Sequence, residues 1–115
     1  MTEISQEWIA ELKKGSVQLL LLALLVKGDK YGLEITKELR ELSNGHFDLK
    51  EGTLYPALRR LEQRGFVESH WVEKESGMPR KYYKITEKGL RAFREASSIW
   101  VNLSNSCRRV LEAAG

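Results

Sequence analysis

Apolar residues in the middle of the chain recur at helical spacing. Leu54, Leu58 and Leu61 stand 4 and 3 residues apart, which predicts one apolar stripe of a helix over residues 51–64. The intervening positions carry arginines and one tyrosine, so the opposite face of this helix is expected to be basic. Gly65 follows as a helix stop.

Two short runs after this helix have the composition of β-strands. Residues 66–71 and 82–85 are rich in β-branched and aromatic side chains, and the Ser-Gly-Met-Pro turn at 76–79 joins them. Arg80 and Lys81 stand just past the tip of the predicted hairpin. A basic helix leading directly into such a hairpin is typical of a winged helix-turn-helix, which is a DNA-binding shape.

The N-terminal part of the chain is predicted to form one helix over residues 5–27, in which Gly15 either introduces a bend or allows the close approach of another element. Its first half is amphipathic, with Trp8 exposed on one edge and in need of a partner surface. Residues 19–26 are apolar on every side, so this part must be covered all round.

A second helix is predicted over residues 31–42, with Asp29 as a possible cap and a turn at 46–50 leading to the basic helix. Gly52 and Pro56 are unusual inside a helix and predict a distorted first turn there. Four apolar residues are expected to face inward: Leu33, Ile35, Leu39 and Leu42.

The last helix is predicted over residues 87–112, with Thr86 as its N-cap. Some 25 residues exceed what a compact chain of this size needs, and the apolar stripe also contains small side chains. Both features favour packing between two subunits, most simply in a homodimer. The stripe consists of Leu90, Phe93, Ser97, Trp100, Ser104, Cys107 and Leu111, widened by Leu103 and Val110.

The predicted fold class is therefore mainly α with a small β-hairpin. We expect a single domain over residues 1–115, because 115 residues suffice for one small core. Within it, residues 5–88 form a winged helix-turn-helix with an N-terminal helix, and residues 87–112 form a dimerisation helix.

Charge is distributed unevenly along the chain. Residues 50–94 carry 11 Lys/Arg against 6 Asp/Glu, whereas residues 1–49 carry 6 against 8 and residues 95–115 carry 2 against 2. The excess positive charge lies on the segment with the helix and hairpin, as contact with DNA phosphates requires.

Other functional classes find little support in the sequence. His46 and His70 are the two histidines and lie far from Cys107, so neither an enzyme nor a metal site is predicted, and no cofactor is expected. The single cysteine indicates a reducing compartment. The apolar run at 17–26 is about half of what a membrane span needs. We expect a cytoplasmic protein without a membrane partner.

Three motifs carry a resemblance to a known family. They are Y-G-L-E-I at 31–35, T-L-Y-P-A-L-R-R-L-E at 53–62 and P-R-K-Y-Y-K-I-T-E-K-G at 79–89. In this order they resemble the PadR family of transcriptional regulators over roughly residues 15–95. The short C-terminal region is similar to the small subgroup of that family.

The resemblance implies a repressor in which the first and last helices of two subunits exchange to form the dimer. A multidrug-binding member of the subgroup holds flat aromatic compounds in a pore between subunits, stacked on a tryptophan of the last helix. The implied ligand-binding residues here are Trp100, Trp8, Ser97 and Ser104. Two departures stand out: Met78 replaces a basic residue at the wing tip, and Lys50 and Glu51 replace the small capping residue.

The expected partner is a double-stranded DNA operator with half-sites about one helical turn apart. Gly52, Thr53 and Tyr55 are expected to reach the major groove, because the start of a recognition helix meets base edges. Tyr55 is equally compatible with the core, and Arg60 and Arg64 with ordinary solvated arginines. The residues expected to hold phosphates are Lys37, Arg59, Arg60, Lys74, Arg80 and Lys81.

Two alternatives stay open from the residues alone. Trp100 is either a stacking platform for a planar hydrophobic or cationic ligand or a tryptophan of the dimer core. The winged helix is either a DNA reader or a protein–protein interaction module, since a fold does not fix a function. A steep loss of duplex binding with salt would separate the latter two.

Overall fold

The computed structural model of the chain describes residues 4–74 and 77–115. In these residues it has five helices and a small sheet. The three antiparallel strands have the order β1-β3-β2. The elements are α1 (Gln6–Lys14), α2 (Val17–Leu25), β1 (Lys30–Tyr31), α3 (Gly32–Leu42), α4 (Glu51–Gln63), β2 (Val67–Val72), β3 (Arg80–Ile85) and α5 (Glu87–Ala114). The predicted fold class is confirmed.

Helix α2 lies at the centre of the molecule, in contact with α3, α4, α5 and β3. Leu21 and Leu25 are completely buried, and Val17, Leu22 and Leu24 are nearly so. A helix that is apolar on every side is stable only when neighbours cover it all round. The leucine-rich helix α2 is therefore the central element of the core. No helix in the described part of the chain has the length and apolarity to cross a membrane.

Helix α4 packs through the predicted stripe. Leu54, Leu58 and Leu61 are buried together with Ala57. The helix runs without interruption through Pro56 and ends before Gly65, whose φ of 78° suits a residue without Cβ. The predicted bounds of this helix are thus nearly those observed.

The prediction of one helix over residues 5–27 is wrong. The chain forms two helices, with Gly15 as C-cap of α1 and Ser16 as N-cap of α2. Gly15 is the weak point because glycine costs about 1 kcal/mol in a helix interior relative to alanine. The two halves also meet different surroundings, since none of the residues of α1 is buried whereas α2 is buried through most of its length.

Two inward-facing leucines and one cap of the second helix were also predicted wrongly. Leu33 and Leu42 are 70% and 69% exposed, and only Ile35 and Leu39 of the four point into the core. Asp29 does not cap α3. Instead Tyr31 is the N-cap, and its backbone N–H donates to Glu34 Oε1 at 3.1 Å. The preceding strand β1 was not predicted, because two residues are too few for a periodic pattern.

The hairpin is longer than predicted. The strands β2 and β3 pair from Val67 opposite Ile85 to Val72 opposite Arg80, so Arg80 and Lys81 are strand residues. Ser76, part of the predicted turn, lies outside the described residues. Thr86 then caps α5 as predicted, because its Oγ1 accepts a hydrogen bond of 2.9 Å from Gly89 N.

The start of α5 packs so closely on the hairpin that Gly89 has no room for a side chain. A Cβ there would overlap the backbone carbonyl of Phe66 and lie 2.8 Å from Ile85 Cγ1. That carbonyl cannot move freely, because it accepts the N–H of Thr86 at 3.0 Å. We expect Gly89→Ala to lower the free energy of unfolding by about 1–3 kcal/mol in urea denaturation, despite the better helix propensity of alanine.

The matched control is Gly28→Ala, since nothing lies within 4 Å of a Cβ at Gly28. This variant should stay within about 0.5 kcal/mol of the parent chain. Equal effects of the two substitutions would contradict the close packing of α5 on the hairpin.

Candidate nucleic-acid interface

The face of α4 opposite its leucine stripe is exposed. Gly52, Thr53, Tyr55, Arg59 and Arg60 all lie on it, outside the core. Because Leu54, Ala57, Leu58 and Leu61 hold the other face against the core, the arginines cannot turn inward without breaking that packing. The helix thus presents its polar side outward over its whole length.

A groove of about 520 Å³ separates α4 from the hairpin and the start of α3. It brings together four of the predicted DNA-binding residues, Tyr55, Arg59, Arg80 and Lys81. No pattern in the sequence singled out the other side chains of its wall, which come from five different elements. These are Tyr31, Leu33, Glu62, Trp71 and Tyr83.

The remaining predicted residues lie elsewhere. Gly52, Thr53 and Arg60 border a second groove, of about 500 Å³, between α4 and α1. Lys37 is exposed on α3 in a hollow that it shares with Glu34, Glu38 and Glu41, and it borders neither groove. Lys74 is exposed just after β2, with its Nζ 5.3 Å from the ring centroid of Tyr82. The predicted set is thus spread over both flanks of α4, the hairpin and α3.

The predicted arginines and lysine that border the two grooves are not paired with a carboxylate in the described part of the chain. Within residues 4–74 and 77–115, no carboxylate lies within ion-pair distance of Arg59, Arg60, Arg80 or Lys81. Arg80 and Lys81 instead stand over aromatic rings, with Arg80 Cζ 4.4 Å from the ring centroid of Tyr31 and Lys81 Nζ 5.7 Å from that of Tyr83. Such cation–π contacts orient a cation and leave its charge available to an anion.

Arg64 differs from the other arginines of α4. Its Nε donates a hydrogen bond of 3.3 Å to Gln18 Oε1 on α2. In the sequence, both Arg60 and Arg64 were compatible with ordinary solvated arginines. Of the two, Arg64 is the one that forms this hydrogen bond to α2.

Several contacts fix the hairpin relative to α4 and α3. Ser69 Oγ donates to Glu62 Oε2 at 3.1 Å, which joins β2 to the end of α4. Tyr31 and Tyr82 form an edge-to-face pair with centroids 5.4 Å apart. His70 Nε2 lies 3.7 Å from Asp29 Oδ2, just before β1. The hairpin is therefore held at a set distance from α4.

The sequence was compatible with Tyr55 either in the core or facing the DNA, and the structure places its ring at the boundary between core and surface. Its side chain is 40% exposed, and its hydroxyl lies so close to Gly32 that any Cβ there would overlap it. Gly32 thus leaves room for the Tyr55 ring at the start of α3, and the rest of the ring borders the groove.

Burial raises the pKa of the Tyr83 hydroxyl above its ordinary value of 10.0. The negative charge of Glu62 adds to this effect, while Arg59 opposes it. Tyr83 is 4% exposed, so it forms the floor of the groove rather than part of its open surface.

The predicted ligand-binding residues lie on α1 and α5. Trp100 is 44% exposed, and its Nε1 donates to Ser16 Oγ at 3.1 Å. Trp8 is also exposed, while Ser97 and Ser104 are half-buried along α5. Beyond Trp100, α5 exposes further large apolar side chains, namely Val101, Leu103, Val110 and Leu111. In the described residues, no group of three or more His, Cys, Asp or Glu side chains is placed to hold a metal ion.

A helix-turn-helix pair with an outward basic helix and an adjoining hairpin defines a winged helix-turn-helix protein of the DNA-binding class. Residues 21–95 match the model of the Transcriptional regulator PadR-like family. The chain therefore belongs to the PadR-like family of transcriptional regulators. Its members are regulators rather than enzymes, in agreement with the prediction from the sequence.

Known structures and relatives agree with this membership. A transcriptional regulator from Clostridium thermocellum has a TM-score of 0.79 at 32% identity, over 86% of this chain and 96% of that one. A PadR family transcriptional regulator from Eggerthella lenta has a TM-score of 0.79 at 35% identity, over 92% and 90%. A protein of Lysinibacillus sphaericus is 32% identical over 94 residues, which are 82% of this chain and 86% of that protein.

The raised pKa of Tyr83 has a consequence at high pH. The folded state holds the phenol proton of Tyr83 more tightly than the unfolded state does. The contribution of the protonated hydroxyl to stability is therefore complete below pH 10 and is lost as the pH rises through the folded-state pKa. We expect the free energy of unfolding of the parent chain to fall relative to that of Tyr83→Phe above pH 10. Denaturant unfolding of both proteins at pH 8 to 11 measures it, and a constant difference would contradict the buried position of the hydroxyl.

Proposed function

We propose that this chain is a transcriptional repressor that binds a pseudo-palindromic DNA operator as a homodimer. The main support for this proposal is the set of exposed or half-buried cations around the groove between α4 and the hairpin, which have no carboxylate partner in the described residues. Phosphate contacts need such uncompensated charge, because each one displaces a condensed counterion.

In this proposal the start of α4 enters the major groove. Gly52, Thr53 and Tyr55 meet base edges there, and the glycine allows close approach of the backbone. Phosphates on either side are held by the surrounding cations, which set the register of the protein but read little sequence. These are Lys37, Arg59, Arg60, Lys74, Arg80 and Lys81.

The dimer is supported by two apolar surfaces that the single chain leaves uncovered. Helix α1 is amphipathic, yet none of its residues is buried. Helix α5 has 28 residues, and its second half exposes Leu103, Val110 and Leu111. Exposed apolar faces of this extent mark interaction surfaces, and a second copy would cover both by the same two-fold operation. Residues 87–112 would then be the dimerisation helix, within a single domain over residues 1–115.

A small ligand would bind in the space between two such subunits. Trp100 and Trp8, with Ser97 and Ser104 beside them, would line a pore for planar hydrophobic or cationic compounds. A compound held there relieves repression only if it binds more tightly to the subunit spacing that does not fit the operator.

The DNA-binding role is tested with Arg59→Ala. We expect affinity for a duplex selected from the source genome to fall about tenfold, because a charge-assisted hydrogen bond is lost. The slope of log affinity against log salt should become shallower by about 1 unit. Fluorescence anisotropy of labelled duplex measures both quantities.

The control is Arg109→Ala, which removes an exposed arginine of α5 on the side away from Trp100. It should leave affinity and slope unchanged. If the parent chain showed no salt-dependent binding to duplex DNA, the protein-interaction alternative would replace the proposal.

The homodimer is tested with Leu103→Glu. Leu103 is 59% exposed in the single chain, so the substitution should leave the helical circular dichroism intact and yet place a charge in the interface. We expect a monomer by light scattering, with weaker operator binding because only one half-site is engaged at a time. Asn105→Glu, a charge on the opposite side of the same helix, should remain dimeric. A parent chain that is monomeric at micromolar concentration would overturn the dimer.

The ligand role is tested by titrating a planar cationic dye while tryptophan fluorescence is followed. We expect saturable quenching in the parent chain that is lost in Trp100→Ala, because the dye stacks on this indole. Trp71→Ala is the control, since Trp71 lies on the hairpin, and it should keep the quenching. Quenching that persists in Trp100→Ala would remove the ligand pore and leave the DNA-binding role in place.

A further inference from the structure

Trp71 is a large aromatic side chain in an exposed position on the hairpin. It is 67% exposed and pairs across the sheet with Lys81. Leaving this much apolar surface in water is unfavourable, and the surrounding core does not use the side chain. The side chain is therefore free to contact a partner.

The alternation of the strand shows which way this side chain faces. Val67, Ser69 and Trp71 share one face of β2, and they pass from buried through half-buried to exposed as the strand leaves the core. This is the face that covers the end of α4, where Ser69 bonds to Glu62. Trp71 continues that face beyond the protein body and becomes one wall of the groove between the hairpin and α4.

The other walls of this groove combine apolar surface with positive charge. Leu33, at the start of α3, is 70% exposed and borders the same groove. Arg59, Arg80 and Lys81 surround it. Glu62 is the one acidic side chain among the groove's residues in the described part of the chain, and Ser69 already donates to its carboxylate. The chemistry suits a polyanion that also offers apolar surface between its charges.

A strand of duplex DNA has this character, because the faces of its deoxyribose rings alternate with phosphates. We propose that the indole of Trp71 packs on a deoxyribose of one DNA strand, while Arg59, Arg80 and Lys81 hold the phosphates beside it. The inference rests on the proposed function and adds an apolar contact to it. A bound strand would pass between α4 and the hairpin, so the indole would set how deeply the recognition helix enters the major groove.

The direct test uses the full chain labelled with 5-fluorotryptophan. The chain has three tryptophans, and single Trp→Phe variants assign their ¹⁹F resonances. Addition of a duplex that binds in an anisotropy assay should shift or broaden the Trp71 resonance and leave those of Trp8 and Trp100 in place. Duplex binding without any change at Trp71 would overturn the inference while leaving the proposed function standing. Absence of duplex binding altogether would overturn both.

A second test separates this contact from a phosphate contact. Trp71→Ala should weaken duplex binding about tenfold, because the indole and the sugar would no longer shield each other's apolar surface from water. Trp71→Phe should restore most of the loss. The salt slope of Trp71→Ala should equal that of the parent chain, because no phosphate charge is lost, in contrast to Arg59→Ala. An unchanged affinity in Trp71→Ala, or a reduced salt slope, would contradict the packing of the indole on a sugar.

Discussion

The burial of helix α2 is the interaction on which the rest of the molecule depends. Leu21 and Leu25 are 0% and 1% exposed, and burial of each such side chain contributes about 1.5–3 kcal/mol. Because α2 touches α3, α4, α5 and β3, it sets the positions of α4 and the hairpin together. The basic face of α4 points outward because the opposite face of the helix packs against α2.

The elements that could be predicted from the sequence are those with a strong local signal. The stripe from Leu54 to Leu61 defined α4, and the cap at Thr86 defined the start of α5. Gly15 was predicted to allow a bend or a close approach, but the complete break at Gly15 and Ser16 could not be predicted, because it depends on where the core ends rather than on propensity alone. Leu33 fits an apolar helix position by spacing, but the chain folds so that no core element covers it. Strand β1 exists only because β3 lies beside it.

For the candidate site, too, one part could be predicted from the sequence and another part could not. Arg59 and Arg60 could be identified from sequence because the leucines of α4 determine which face remains exposed. The groove could not be identified, since Tyr31, Trp71 and Arg59 meet only through the sheet order and the bond from Ser69 to Glu62. Tyr55 was ambiguous because its place depends on the lack of a side chain at Gly32. Local patterns thus determine which residues are free, while tertiary packing determines which of them lie together.

The central claim is that one surface, formed by α4 and the hairpin, contacts duplex DNA, while the exposed faces of α1 and α5 serve other contacts. It is tested most directly by following backbone amide chemical shifts while a duplex fragment selected from the source genome is added. If this surface contacts the DNA, the largest chemical-shift changes fall in residues 51–60 and 80–83, and residues 99–111 are little affected. Changes confined to residues 99–111, with residues 51–60 unmoved, would contradict it.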